Sequence, residues 1–149
     1  MRFFNKLALT AALLAIAAAP FAPLSAAGQA KAETTYKVVV DVAQAGDAYD
    51  RTINSVRNLL KALGAEHVTV EVVAHAAGIN LLVAANNSHT AELAELARQG
   101  VQFAACENSM RANHLTKADL LPFATPVDAG VAELVRRQHE GYAYLYMPN

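Results

Sequence analysis

Few residues in this sequence are equipped to do chemistry, and the sharpest of them is Cys106, the one thiol among 149 residues. It follows a short apolar run, Val101-Gln102-Phe103-Ala104-Ala105, and precedes Asn108 and Ser109, either of which can open a helix running through Met110, Arg111 and Leu115. A thiol becomes a nucleophile or a sulfur acceptor when its thiolate is stabilised, and the unpaired N–H groups of a helix N-terminus do this. Arg111, about a turn further on, adds positive charge, although Glu107 opposes it. The competing reading is a small core residue, because free cysteine is among the most buried residue types.

His75 precedes Ala76-Ala77-Gly78, where the chain leaves a strand. A histidine there either shares a pocket with Cys106 and tunes its thiolate or serves as a hydrogen-bonded loop residue. The candidate site is Cys106 as nucleophile or sulfur acceptor and Arg111 as a stabiliser of its thiolate, with His75, Gly78 and Asn108 as binding residues.

Other chemistries are poorly served. Asp41, Asp47 and Asp50 would suggest a Mg²⁺ site only with an acceptor carboxylate at the end of the third strand, and Cys106 occupies that place. Asp47 reads as a helix cap and Asp50 as first-turn charge. The five histidines show no zinc-type spacing with Cys106, so neither a metal nor another cofactor is expected. There is no GxGxxG and no GxxxxGK[ST], and the loop Gln44-Ala45-Gly46-Asp47 carries negative charge where a phosphate would sit. Ser25 and Ser109 lack the context of a nucleophile elbow.

The elements that must position these residues follow from periodicity. Tyr36 to Val42 and His67 to Ala74 are rich in β-branched residues and read as strands. Between them Ile53, Val56, Leu60 and Leu63 recur at helical spacing, closed by Gly64. Gly78 to Ala85 reads equally as a short helix or a strand. Asn86-Asn87-Ser88 is turn and cap chemistry before a helix marked by Leu93, Leu96 and Ala97 that ends at Gly100. Val101 to Ala105 is a short buried strand, and Thr116 caps a further turn, Lys117 to Leu120. Phe123 to Val127 is a short fourth strand weakened by Pro122 and Pro126. Asp128 caps a helix carrying Val131, Leu134 and Val135 that stops at Gly141. Tyr142 to Met147 is the last strand, with Tyr142, Tyr144 and Tyr146 on one face as core or subunit-interface residues. Alternating strands and helices imply a three-layer α/β/α domain with a mainly parallel sheet of about five strands.

The N-terminal segment reads differently. Arg2 and Lys6 precede the uncharged run Leu7 to Ala19, and Pro20, Pro23 and small residues follow. This is the layout of a secretory signal peptide over residues 1–27, with cleavage after Ala27 or Ala32. The run is too short to span a bilayer, which needs about 20 residues, so no membrane association is expected once it is removed. The folded domain is expected over residues 34–149, in the periplasm or secreted. Removal of residues 1–27 leaves 10 basic side chains against 13 acidic, a net charge of −3. No basic block survives, which argues against nucleic acid as a partner. An exported chain with a single cysteine has no internal disulfide.

Several stretches resemble the DsrE/DsrF-like family: Tyr36-Lys37-Val38-Val39-Val40-Asp41, Val73-Ala74-His75-Ala76-Ala77-Gly78-Ile79, Gly100 through Cys106 to Arg111, Gly130 to Val135, and Gly141 to Tyr144. The resemblance covers about residues 34 to 147. It implies a three-layer α/β/α fold assembled into homo-oligomers such as trimers or hexamers. It also implies a persulfide carried on a cysteine just after the third strand, where Cys106 falls, with Arg111 matching a downstream basic residue. A sulfur-donor or sulfur-acceptor protein would then be the partner. The expectation is an exported sulfur carrier or sulfurtransferase-like protein; the alternative is a non-enzymatic oligomeric binding or accessory module whose cysteine is structural.

Overall fold

The structure is a computed structural model and describes residues 35–148; the signal peptide read over residues 1–27 lies outside them. Strand β1 (Tyr36–Val42) leads into helix α1 (Asp47–Leu63), and β2 (Val68–Ala74) into a 3₁₀ segment (Ala76–Leu82) and helix α2 (Thr90–Arg98). Strand β3 (Gln102–Cys106) runs straight into helix α3 (Glu107–Ala112). Strand β4 (Ala124–Val127), helix α4 (Gly130–His139) and strand β5 (Ala143–Tyr146) complete the fold. The five strands form one sheet in the order β4-β3-β2-β1-β5, and every neighbouring pair is parallel.

That order decides where the helices go. Successive steps from β1 to β4 move in one direction across the sheet, so right-handed crossovers keep their helices on one face. The step from β4 to β5 returns across the whole sheet, and the same handedness sends α4 to the opposite face. The two cores reflect this. Val38, Val40, Val42, Val70, Val72, Phe103 and Ala105 pack with Ile53, Val56 and Leu60 of α1, Leu93 and Leu96 of α2 and Met110 of α3. On the other face Val39, Val73 and Ala104 pack beneath Leu134 of α4.

The expected elements are present with local corrections. The ambiguous stretch after β2 is the 3₁₀ segment, begun at Ala76 rather than Gly78. Asp47 is the first residue of α1, not its cap, and Gly46 holds the cap position. Asp128 does not cap α4 either: Ala129 does, and the Asp128 carboxylate instead accepts from Arg136. β4 forms despite Pro126 because it is an edge strand, where a missing N–H costs nothing on the open side, and Pro122 lies before it. The turn Lys117–Asp119 is closed by a Thr116/Asp119 capping box, as its sequence suggests. The tyrosines of β5 share a face but are not core; Tyr144 and Tyr146 remain exposed on the other edge strand.

Candidate functional site

Side chains alternate along a strand, so Val39 and Asp41, Val73 and His75, and Ala104 and Cys106 point to the α4 face. The first of each pair is core. The second, at or just beyond the carboxyl end, is polar or reactive. The His75 N–H donates to the Val42 carbonyl at 3.0 Å and so extends the β2 ladder by one residue. Because Ala74 lies level with Ala105, His75 comes level with Cys106. The chain leaves β3 toward α3 on one face and β4 toward α4 on the other, and Cys106 pairs with Val127 across that divide. It therefore occupies the switch point of the topology, where parallel sheets place ligands and reactive groups.

Cys106 is only 5 % exposed, yet its surroundings are polar. Burial pushes the thiol up. The nearby backbone N–H groups of Gly130, Ser109 and Asn108 and the Ser109 hydroxyl favour the thiolate and outweigh that effect, holding the thiol below its ordinary value of 9.0. The donors converge from both helices that diverge at the switch point. Ser109 also accepts from the Ala76 N–H at 2.8 Å, which ties the segment after His75 to the sulfur's own helix. Ala76 itself sits at φ +47°, in the left-handed region that non-glycine residues enter at a cost of order 1 kcal/mol.

Beside the sulfur, His75 Nε2 lies 2.8 Å from Asp41 Oδ1, and Tyr144 donates its hydroxyl to Asp41 Oδ2 at 2.6 Å. The hydrogen bond to Asp41 raises His75 above its ordinary 6.5 against the opposing effect of burial, with smaller contributions from the charges of Asp41 and Cys106. Burial alone would raise Asp41, but bonding to His75 and Tyr144 holds it below its ordinary 3.8. The Tyr144 phenol, bound to that carboxylate, is pushed up to about 12. A cysteine, a histidine, a carboxylate and a tyrosine thus span four of the five strands' ends.

The predicted residues do not all meet there. Cys106 and His75 come together. Asn108 reaches the sulfur through its backbone N–H, while its side chain accepts from Arg111. Arg111 faces solvent between Asn108 and Glu107, 3.5 Å from the Glu107 carboxylate, and is not among the groups that lower the Cys106 thiol. Gly78 is buried against the end of β1, its N–H on the Ala43 carbonyl at 3.2 Å. A groove of about 360 Å³ lined by Ala76, Ala77, Asn80, Asn108, Ser109 and Asn113 opens beside the site. A larger one, of about 510 Å³, lies at the amino-terminal end of β3 against Glu71, Phe103, Phe123 and Arg137, away from the sulfur. Among the described residues no group of three or more His, Cys, Asp or Glu side chains is arranged to hold a metal ion.

Sequence reasoning missed Asp41, Ser109, Gly130 and Tyr144 as members of the site. Gly130 carried a local signal, a glycine at the first position of a helix where alanine would be the better former. A Cβ there would stand 2.8 Å from the His75 Cβ and 3.2 Å from the Cys106 Cβ, so α4 rests its N-terminus directly on the pair. Gly130→Ala is expected to lift that end of the helix, lowering stability by about 1–3 kcal/mol and making the thiol less acidic as the Gly130 N–H leaves the sulfur. Thermal unfolding and the pH dependence of the thiolate ultraviolet band measure the two effects. An unchanged thiolate titration would show that the Gly130 contact does not matter to the sulfur.

The DsrE/DsrF-like family matches residues 36–147 of the chain. Among solved structures, the chain is similar to a protein of unknown function, MTH1491 from Methanobacterium thermoautotrophicum. The two are 38% identical, with a TM-score of 0.70, over 74% of this chain and 98% of that one. No curated protein matches. With three quarters of its length inside the family and the same three-layer architecture, this chain belongs to the DsrE/DsrF-like family.

Proposed function

We propose that this protein is an exported sulfur carrier, or a sulfurtransferase-like protein, that holds a persulfide on Cys106. The family is one associated with sulfur relay. The observation that carries the reading is the position of Cys106 at the end of β3 where α3 and α4 diverge, with nearby N–H and O–H groups that favour a thiolate in a site that would otherwise suppress one. The thiolate attacks the outer sulfur of a donor persulfide. The donor's S–S bond breaks, its inner sulfur leaves as a thiolate and takes up a proton, and a new S–S bond joins that outer sulfur to Cys106. No external oxidant or reductant is consumed. The signal-peptide layout supports a periplasmic or secreted location. Exposed Val131 and Val135 on α4, with Tyr144, Leu145 and Tyr146 on the open edge strand β5, support assembly into a homo-oligomer, trimer or hexamer, through that face.

Incubation of the reduced protein with a small-molecule persulfide, followed by mass spectrometry, is expected to add one sulfur atom at Cys106 and none in Cys106→Ser. An unloaded wild-type protein sinks the reading. The burial of Cys106 favours a second reading, an accessory module in which the thiol only packs; a Cys106→Ser protein with its phenotype and assembly intact would select it.

A further inference from the structure

Asp41 is the least expected member of the site. It stands in the middle layer of a β-branched strand, is buried, and spends both carboxylate oxygens on side chains from other strands, His75 on one side and Tyr144 on the other. A buried carboxylate is costly unless paired and hydrogen-bonded, and a neutral partner at His75 would leave the charge uncompensated. We infer that Asp41, steadied by Tyr144, holds His75 as an imidazolium beside the Cys106 sulfur, so that Asp41 and Tyr144 are positioning residues for a Cys106–His75 ion pair.

Three independent placements support this. The ladder extension at His75 and the strained φ of Ala76 fix where the ring begins. The absent side chain at Gly130 lets α4 close over His75 and Cys106 together. The Tyr144–Asp41 bond brings in the edge strand β5, which follows α4 directly in the chain. The titratable groups that face His75 are Asp41 from β1 and Cys106 from β3, with Tyr144 from β5 acting through Asp41. The 3₁₀ segment and α3 contribute Ala76 and Ser109 there, and α4 contributes Gly130; the α4 carboxylate Glu133 is engaged by Arg136 and Arg137 instead. The inference rests on Cys106 being the working thiol, and it adds the charge of His75 to the N–H and O–H groups that already favour that thiolate.

The signs follow from the two partners. The Asp41–His75 pair is intact from the lowered pKa of Asp41 up to the raised pKa of His75, a window that contains the whole interval between their ordinary values of 3.8 and 6.5. Its stabilisation fades as pH falls through the first limit and as it rises through the second. The test follows the ring resonances of His75 by NMR across pH, and the thiolate ultraviolet band as the difference from Cys106→Ser. In the wild type the His75 midpoint is expected above 6.5. Asp41→Asn should bring it to the ordinary value or below. His75→Gln should cut the thiolate fraction at neutral pH by about tenfold, one pKa unit. Tyr144→Phe should leave the upper limit and move the low-pH step of His75, which reports Asp41, upward.

If Asp41→Asn does not fold, Cys106→Ser supplies the reciprocal reading, since coupled groups shift each other; the His75 midpoint must then fall. An ordinary His75 midpoint in the wild type, a thiolate band unmoved by His75→Gln, or an unmoved low-pH step in Tyr144→Phe each overturns the corresponding link. These readouts do not involve sulfur loading. A failed persulfide assay with the titrations as described would remove the carrier function and leave the ion pair, and the converse would separate them the other way.

Discussion

Gly78→Ala is expected to cost roughly 3 kcal/mol of stability, the upper end for forcing atoms into a filled space, and to blunt the acidity of Cys106 as well. An alanine Cβ at this position would fall 1.9 Å from the Val42 carbonyl oxygen, 2.6 Å from its carbon and 3.2 Å from the Ala43 nitrogen. These are backbone atoms of a central strand, so no rotamer relieves the clash. The 3₁₀ segment must lift off the end of β1, straining the Gly78-to-Ala43 and His75-to-Val42 hydrogen bonds that hold it there. Because Ala76 is tied to Ser109, whose hydroxyl and N–H favour the Cys106 thiolate, the disturbance passes to the thiol. Chemical denaturation should show a lower midpoint with an unchanged slope, and the thiolate band should titrate later. A loss below about 0.5 kcal/mol, the size of an ordinary surface substitution, would show that the segment is free to move. Gly78 thus supports the site from behind, in place of the binding role its sequence position suggested.

How much of this was legible beforehand depends on which physical signal each residue carries. The amphipathic helices announce themselves by period, as with Ile53, Val56 and Leu60, because burial on one face imposes the repeat, and the strands by their β-branched runs, as with Val38 to Val42, which is buried on both faces. Cys106 and His75 were visible because their chemistry is rare and their positions at strand ends follow from the parallel topology. Asp41 was harder. Within a strand its type says only that something must pair with it, and its partners lie 34 and 103 residues away. Tyr144 alternates with its neighbours in a pattern that a core strand shows equally well. What places it at Asp41 is the final strand crossing to the β1 edge, a step in sheet order that no local pattern encodes. Arg111 misled for a related reason. One turn along a helix from a cysteine is close in sequence, but the side chain also lies an i, i+4 step from Glu107 and three residues from Asn108, and it turns outward to them.

The geometry of the switch point explains why these residues belong together. α3 and α4 begin on opposite faces, and each contributes N–H groups to one sulfur. The thiolate is therefore sensitive to how firmly α4 is seated, and that seating is governed at the other end of the helix. The thin core beneath α4 holds Leu134 against Val39, Val73 and Ala104, whereas Val131 and Val135 face outward, 61% and 66% exposed. With so little apolar contact, polar contacts must fix the helix to the sheet.

Arg137 is the main one, and Arg137→Met is expected to cost about 3–5 kcal/mol, the range for breaking a buried ion pair from one side. Its Nε lies 2.6 Å from Glu71 Oε2 on β2 and 2.9 Å from Glu133 Oε1 on its own helix. Its terminal nitrogens reach Glu71 Oε1 at 3.2 Å and Glu140 at 3.0 Å. The Glu71 and Glu133 side chains are nearly inaccessible, so removing the guanidinium leaves two close carboxylates with much of their compensation gone. Burial already raises Glu71 above its ordinary 4.5 even with Arg137 bound. Without it the carboxyl rises further and prefers the proton when folded. A group raised in the folded state contributes stability that is lost as pH rises, so the deficit of Arg137→Met should be greatest at neutral pH and narrow toward pH 4.5. Denaturation midpoints measured across that range check the slope. Glu71→Gln in the Arg137→Met background should recover part of the loss, because the buried charge is then gone. A pH-independent deficit, or no recovery in the double variant, would mean that Arg137 acts through its guanidinium seated over the Tyr142 ring, 5.5 Å from the ring centroid, and not through its carboxylate partners. In either variant a looser α4 should also weaken the Gly130 contact and raise the thiol of Cys106, since the helix that Arg137 fastens to β2 is the one that closes over the sulfur.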